Sequence, residues 1–153
     1  MMDRPRSLLS RRAVIAGAAA AVLVVRRTDA TPATMKAAIA RVVGERTARK
    51  GRVMIDIPPL VENGNAIAMA VTVDSPMTDT NFVKAIHVFN EKNPQPDVIS
   101  VHLSPRAGRA AFSTRIRLAD SQTIVAIAEM NDGSLWSDTA DVIVTIAACL
   151  EYN

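Results

Sequence analysis

The chain has one cysteine, Cys149. An intrachain disulfide is therefore excluded, and so is any paired-cysteine redox or metal motif. Aromatic residues make up 3% of the 153 residues, with a single tryptophan and a single tyrosine, so a core has to be built from aliphatic side chains. Histidine occurs twice, as His87 and His102. There is no nucleophile elbow, no glycine-rich phosphate loop and no Cys/His set at metal-ligand spacing. No pair of carboxylates stands out for acid/base work. A copper site would need His87 and His102 to meet across paired strands, with Met54, Met69, Met77 or Met130 completing it. No ligand spacing supports that, and no cofactor or metal is expected. Such scarcity of reactive groups argues against an enzyme acting alone.

The first 30 residues do not read as part of a fold. Arg4, Arg6, Arg11 and Arg12 form a basic leader, and Ala13 to Val25 is an apolar run. That run is shorter than the roughly 20 apolar residues a membrane-spanning helix needs, and it suits the h-region of a signal peptide. Arg11 and Arg12 stand directly before it and resemble a twin-arginine export signal, with Val14 and Ile15 where that pattern prefers Phe and Leu. Arg26 and Arg27 follow it and disfavour the general secretion channel. Cleavage is expected near Thr28-Asp29-Ala30, giving a periplasmic protein that is not held in the membrane. The leader carries six of the 18 basic residues and two of the 15 acidic ones, leaving 12 against 13. The pI of about 9.5 thus belongs to the leader, and no basic patch remains to argue for nucleic acid.

The remainder is the size of one domain, and it reads as one helix followed by strands. Thr34 to Lys50 has helical spacing: Met35, Ile39, Val42 and Val43 share a face, while Lys36, Arg41, Glu45, Arg46 and Arg49 take the other. Thr34 is the expected cap and Gly51 the expected stop. From Arg52 the period becomes two. Strands are expected over 53–57, 66–73, 83–90, 98–103, 111–118 and 123–130, with a last one or two over 135–146. Turn signals separate them: Pro58-Pro59, Glu62-Asn63-Gly64-Asn65, Asp74-Ser75-Pro76, the proline-rich 91–96, Pro105–Arg109, and Asn131-Asp132-Gly133-Ser134. In 111–118, Arg115 and Arg117 lie on one face and Phe112, Thr114, Ile116 and Leu118 on the other. Trp136 is expected to pack rather than bind, and Asp138 and Asp141 to form a solvated strand face. Seven or so strands of this kind imply an all-β protein: an immunoglobulin-like antiparallel β-sandwich with one N-terminal helix. Its domain spans 31–145, followed by a C-terminal arm, 146–153.

Cys149 follows Val142-Ile143-Val144-Thr145-Ile146, a β-branched strand. A thiol beyond the last strand is expected to be accessible and free to carry a group. Three blocks give the chain a family resemblance: Glu62–Asn65, Val71–Thr78, and Val83–Phe89 with Lys92-Asn93-Pro94. Ser113–Ala119, Gln122-Thr123, Ala128–Met130, Asp132–Ser134 and Val144-Thr145 extend it. From about Ala33 to Cys149 the chain resembles SoxY, the sulfur-carrier subunit of the periplasmic thiosulfate-oxidising system. The resemblance implies twin-arginine export, an immunoglobulin-like sandwich and pairing with a SoxZ-like subunit. It also implies covalent attachment of a sulfur intermediate at Cys149, on which sulfur-oxidising periplasmic enzymes or cytochromes work. On that reading the chain is a carrier subunit, not an enzyme. The arm departs from the family's Gly-Gly-Cys-Gly-Gly: Ala147 and Ala148 precede the thiol, and Leu150 and Glu151 follow it. This resembles the SoxY-related group named for an AACIE arm. Alanine and leucine remove the backbone freedom that glycine provides, and the charge of Glu151 opposes ionisation of the thiol. Two other functions compete: a thiol redox or sensor protein using Cys149, and a non-catalytic β-sandwich interaction subunit.

Overall fold

The computed structural model describes residues 31–146. Its first element is helix α1, Pro32–Val43. Thr31 is the cap: its extended backbone (φ −138°, ψ 157°) lets its hydroxyl accept the Thr34 N–H, while the Thr34 hydroxyl accepts the Thr31 N–H at 3.1 Å. This reciprocal box satisfies helix-end donors, and Pro32 sits where a missing N–H costs nothing. The expected helix was longer, from a Thr34 cap to a Gly51 stop. Gly44 ends it instead, at φ 60°, and Ala48–Lys50 becomes strand β1. Met35 and Ala38 bury the helix's inner face against Phe89, Ile127 and Leu135, with Ile39, Val42 and Val43 alongside.

The other strands are β2 (Val53–Asp56), β3 (Leu60–Asn63), β4 (Ile67–Val73), β5 (Val83–Asn90), β6 (Asp97–His102), β7 (Ala111–Ile116), β8 (Gln122–Met130) and β9 (Leu135–Ile146). They form two packed sheets, in the order β1-β9-β8-β5-β6 and β2-β4-β7, with β3 also paired to β9. All the long ladders are antiparallel. The two short additions, β1 and β3, run parallel to β9, which the alternation pattern did not reveal. The segment 135–146 is one continuous strand.

Alternation decides the layers. In β4, Ile67, Met69, Val71 and Val73 are buried between the sheets. They meet Ile86 and Val88 of β5 and Ile124, Ala126 and Ala128 of β8. The opposite face of β5 and β8 contributes Phe89 and Ile127 to the helix-side cluster. The large sheet is thus buried on both faces at its centre, and aliphatic side chains fill the core, as the low aromatic content requires. Trp136 packs half-buried against this core, with the Arg52 guanidinium 5.0 Å from its ring centre. No helix among the described residues is long and apolar enough to cross a membrane.

Candidate functional site: the end of the last strand

Cys149 and its neighbours Ala147, Ala148, Leu150 and Glu151 lie outside the described residues, as do Arg11 and Arg12. What the structure does define is the base from which the cysteine segment departs. That base is the last four residues of β9, and hydrogen bonds fix it on both sides. Along one edge β3 runs parallel, with Leu60 beside Ile143, Val61 beside Val144 and Asn63 beside Ile146. Beyond β3, Gly64 N–H donates to the Ile146 carbonyl at 3.0 Å. The Thr145 hydroxyl donates to the Glu62 carbonyl at 3.2 Å. On the other side the Ser121 hydroxyl accepts the Val144 N–H at 2.9 Å and donates to the Val144 carbonyl at 3.3 Å. The ladder is therefore satisfied up to Ile146, three residues before the thiol. It also carries one residue further than the domain boundary at 145 expected from the sequence.

The surface around this base is apolar. Leu60, Ile143 and Ile146 are 60%, 58% and 63% exposed. Leu60 and Ile143 are register partners in a parallel pair, so their side chains adjoin on one face. Val144 turns inward and is buried. The one ionisable side chain in β3 is the exposed carboxylate of Glu62.

The two histidines do meet. His87 and His102 lie on β5 and β6 with ring centres 6.1 Å apart, edge to face, and His87 Nδ1 is 2.8 Å from the Ser100 hydroxyl. Burial holds the His87 pKa below its ordinary value, and the nearby His102 lowers it further, against the opposing pull of Glu129 and Asp97. The methionines are elsewhere. Met69, Met77 and Met130 are buried between the sheets, where the Met77 sulfur accepts the Val83 N–H at 3.4 Å. Met54 is exposed on the three-stranded sheet. No methionine completes a histidine site, and among the described residues no group of three or more His, Cys, Asp or Glu side chains could hold a metal. Close by, burial pushes the Glu129 carboxyl up, but the Arg46 hydrogen bond and the Lys84 charge outweigh it and bring it below its ordinary value. The expected solvated face is split, because residues three apart in the continuous strand β9 point to opposite faces. Half-buried Asp138 turns toward β2 and accepts the Ile55 N–H at 3.0 Å, while only Asp141 is exposed, accepting the Thr123 hydroxyl at 2.7 Å.

A family model described as sulfur oxidation protein SoxY matches residues 39–149, a span that takes in the whole sandwich from mid-helix and ends on the cysteine. No curated protein matches the sequence significantly. Among solved structures, the chain resembles the sulfur carrier protein SoxY from Chlorobium limicola f thiosulfatophilum. The two are 26% identical with a TM-score of 0.63, over 74% of this chain and 98% of that one. A superoxide reductase (neelaredoxin) from Ignicoccus hospitalis is 18% identical with a TM-score of 0.55, over 61% of this chain and 80% of that one. A superoxide reductase from Nanoarchaeum equitans is 12% identical with a TM-score of 0.53, over 63% and 100%. At those identities the reductases share the sandwich alone.

Proposed function

The chain belongs to the SoxY family of sulfur oxidation proteins, and from that premise we propose that it is an exported sulfur carrier whose attachment point is Cys149. One observation carries the reading: the family match runs to residue 149, and the strand before it is hydrogen-bonded up to Ile146. A rigid body followed within three residues by the chain's single thiol is the arrangement a carrier needs. The body binds partners, and the thiol travels into their active sites. Loading is an oxidation. One S–S bond forms between Cys149 Sγ and the terminal sulfur of a reduced sulfur anion, the thiol proton leaves, and two electrons pass to a partner redox protein such as a cytochrome. With a single cysteine, no internal disulfide can divert the loaded thiol.

The Ala-Ala-Cys-Leu-Glu arm sets how this proceeds. An ordinary thiol has a pKa of about 8.5, so a few per cent is thiolate at neutral pH. The charge of Glu151 two residues on gives no help, so loading depends on a partner that supplies positive charge around the sulfur. A SoxZ-like subunit is the natural companion of the sandwich, and the twin-arginine leader, Arg11 and Arg12 included, delivers it to the periplasm.

The test is mass spectrometry of protein recovered from the periplasm of cells grown on a reduced sulfur source. The expected N-terminal peptide begins near residue 31, and the expected C-terminal peptide carries sulfane or thiosulfonate additions on Cys149. A Cys149→Ser strain should lose both the additions and the associated oxidation. A Cys149 found only as free thiol, with the serine strain oxidising sulfur normally, overturns the reading.

A further inference from the structure

The outer edges of β6 and β7 have no strand partner among the described residues. Where these edges face each other, the sandwich opens into a cleft of about 320 Å³ bordered by Asn90, Val98, Ile99, Thr114, Arg115 and Arg117. Asn90 is 1% exposed, and its Oδ1 is buried without a hydrogen-bond partner. A buried, unmatched amide oxygen costs stability, and the residue that carries it borders the cleft. At the rim, Arg115 and Arg117 are exposed, and neither is ion-paired among the described residues. Asp97 does not cancel them, because Arg41 holds it at 2.9 Å.

These features select a ligand. A small oxyanion offers acceptors only and would leave the Asn90 oxygen unmatched. An extended peptide unit offers an N–H and a C=O together, which one carboxamide can meet with its own oxygen and nitrogen. Unpaired strand edges are the usual place for an extended segment to add, and the arginine rim favours an acidic one.

Such a segment starts close by. Gly64 N–H donates to the Ile146 carbonyl, and Leu118 N–H donates to the Gly64 carbonyl at 2.9 Å. Two steps of strand spacing put Leu118 about 10 Å from Ile146. Arg117 is the residue before Leu118, and its carbonyl accepts from Asn93, which also borders the cleft. Residues 147–153 reach up to about 23 Å when extended, and Glu151, the fifth of them, up to about 17 Å.

We propose that the cleft between β6 and β7 is a docking site for the chain's own arm, residues 147–153, with Glu151 against Arg115 and Arg117 and an arm peptide unit paired to the Asn90 carboxamide. Docking draws Cys149 against the body and shields it until a client enzyme competes for the arm. The alanines that replace glycine suit this use, because they lose less backbone entropy on being held. The significance of the shielding rests on the carrier reading, but its readout does not.

The experiment measures alkylation of Cys149 by neutral iodoacetamide in the mature full chain, at low salt. Docking predicts that Arg115→Ala with Arg117→Ala, and separately Glu151→Gln, each speed alkylation about threefold, the scale of a released surface ion pair. It also predicts a wild-type rate that does not change on tenfold dilution. Charge acting on the thiol alone predicts opposite signs: losing two cations slows alkylation and losing Glu151 speeds it. A slower arginine variant, or equal rates in all three proteins, overturns the proposal. Protection that fades on dilution assigns the cleft to the arm of a second copy and overturns it as well. Glu151 is outside the described residues, and an unchanged rate in Glu151→Gln overturns docking whether or not the arginine variant folds. Absence of sulfur adducts in cells would defeat the carrier reading and leave these rates untouched, whereas equal rates beside normal adducts would defeat docking alone.

Discussion

The two ends of β9 are built alike and buried differently. Each is flanked by a short parallel strand: β1 runs beside Leu135–Ser137 and β3 beside Ile143–Ile146. At the start, Leu135 is 2% exposed beneath α1, and Trp136 lies under Arg52. At the end, Ile143 and Ile146 stand in solvent beside Leu60. The start is held by packing, with Leu135 buried among Met35, Ala38, Phe89 and Ile127. The end is held by Val142 and Val144, which turn into the core, and by hydrogen bonds from Gly64, Thr145 and Ser121, each worth little in net terms, while Ile143 and Ile146 are left for another surface. The last residues of β9 therefore combine a buried face with an accessible apolar one.

The widest separation of the two ends should appear on truncating one side chain at each. Leu135→Ala empties a site in the helix-side cluster and is expected to destabilise the fold by about 2–5 kcal/mol. Ile143→Ala removes a side chain already in water and is expected to change stability by no more than about 0.5 kcal/mol. Urea unfolding of both variants reads the difference. Equal losses would mean that Ile143 is covered in solution.

A smaller effect tests how the end is tied. Ser121→Ala removes the hydroxyl that both accepts from and donates to Val144, leaving the Val144 N–H unmatched. A cost of about 1–2 kcal/mol is expected, with faster amide exchange at Val144 and no change at Leu135. Unaltered exchange at Val144 would show that β3 alone holds the strand.

Much of this architecture was legible in the sequence. The long strands were readable because β4, β5, β7 and β8 carry aliphatic residues at period two, and Asp132-Gly133 marked the hairpin into β9. The helix end was misread for a physical reason. Glu45 to Lys50 contains good helix formers and no breaker before Gly51. Yet Gly44 adopts φ 60°, and the edge of β9 offers Ala48–Lys50 a ladder, so tertiary pairing overrode local propensity. Strand β3 was hidden because Pro58-Pro59 and the Asn63-Gly64 turn bracket only two apolar residues, Leu60 and Val61. Its parallel pairing leaves no mark in composition. The thiol was legible as the chain's single cysteine. The cleft was not, because it is made by β6 and β7 approaching from different sheets, and the buried carboxamide of Asn90 reads in sequence as the end of a strand before a turn.

The smallest expected effect concerns pH and again separates the two ends. His87 lies on the helix-side face of β5, with its ring centre 6.5 Å from that of Phe89, and burial and then His102 lower its pKa. A histidine whose folded pKa lies below its unfolded value near 6.5 binds protons more readily when unfolded. Stability from it is therefore present above about pH 6.5 and is lost as pH falls through the folded value. Glu129, also lowered, acts in the same direction only at more acidic pH, below the ordinary carboxylate value near 4.3. Between pH 7.5 and 5.5 the histidine should dominate. The stability of the wild type should fall over that range, and His87→Gln should make the fall smaller. His102→Gln should do so to a lesser extent, because it removes only the second cause. Ser121→Ala, whose hydroxyl does not titrate, should show the same deficit at both pH values. Thermal melts of the four proteins at the two pH values decide it. A fall of undiminished size in His87→Gln would mean that the pH dependence arises elsewhere in the chain.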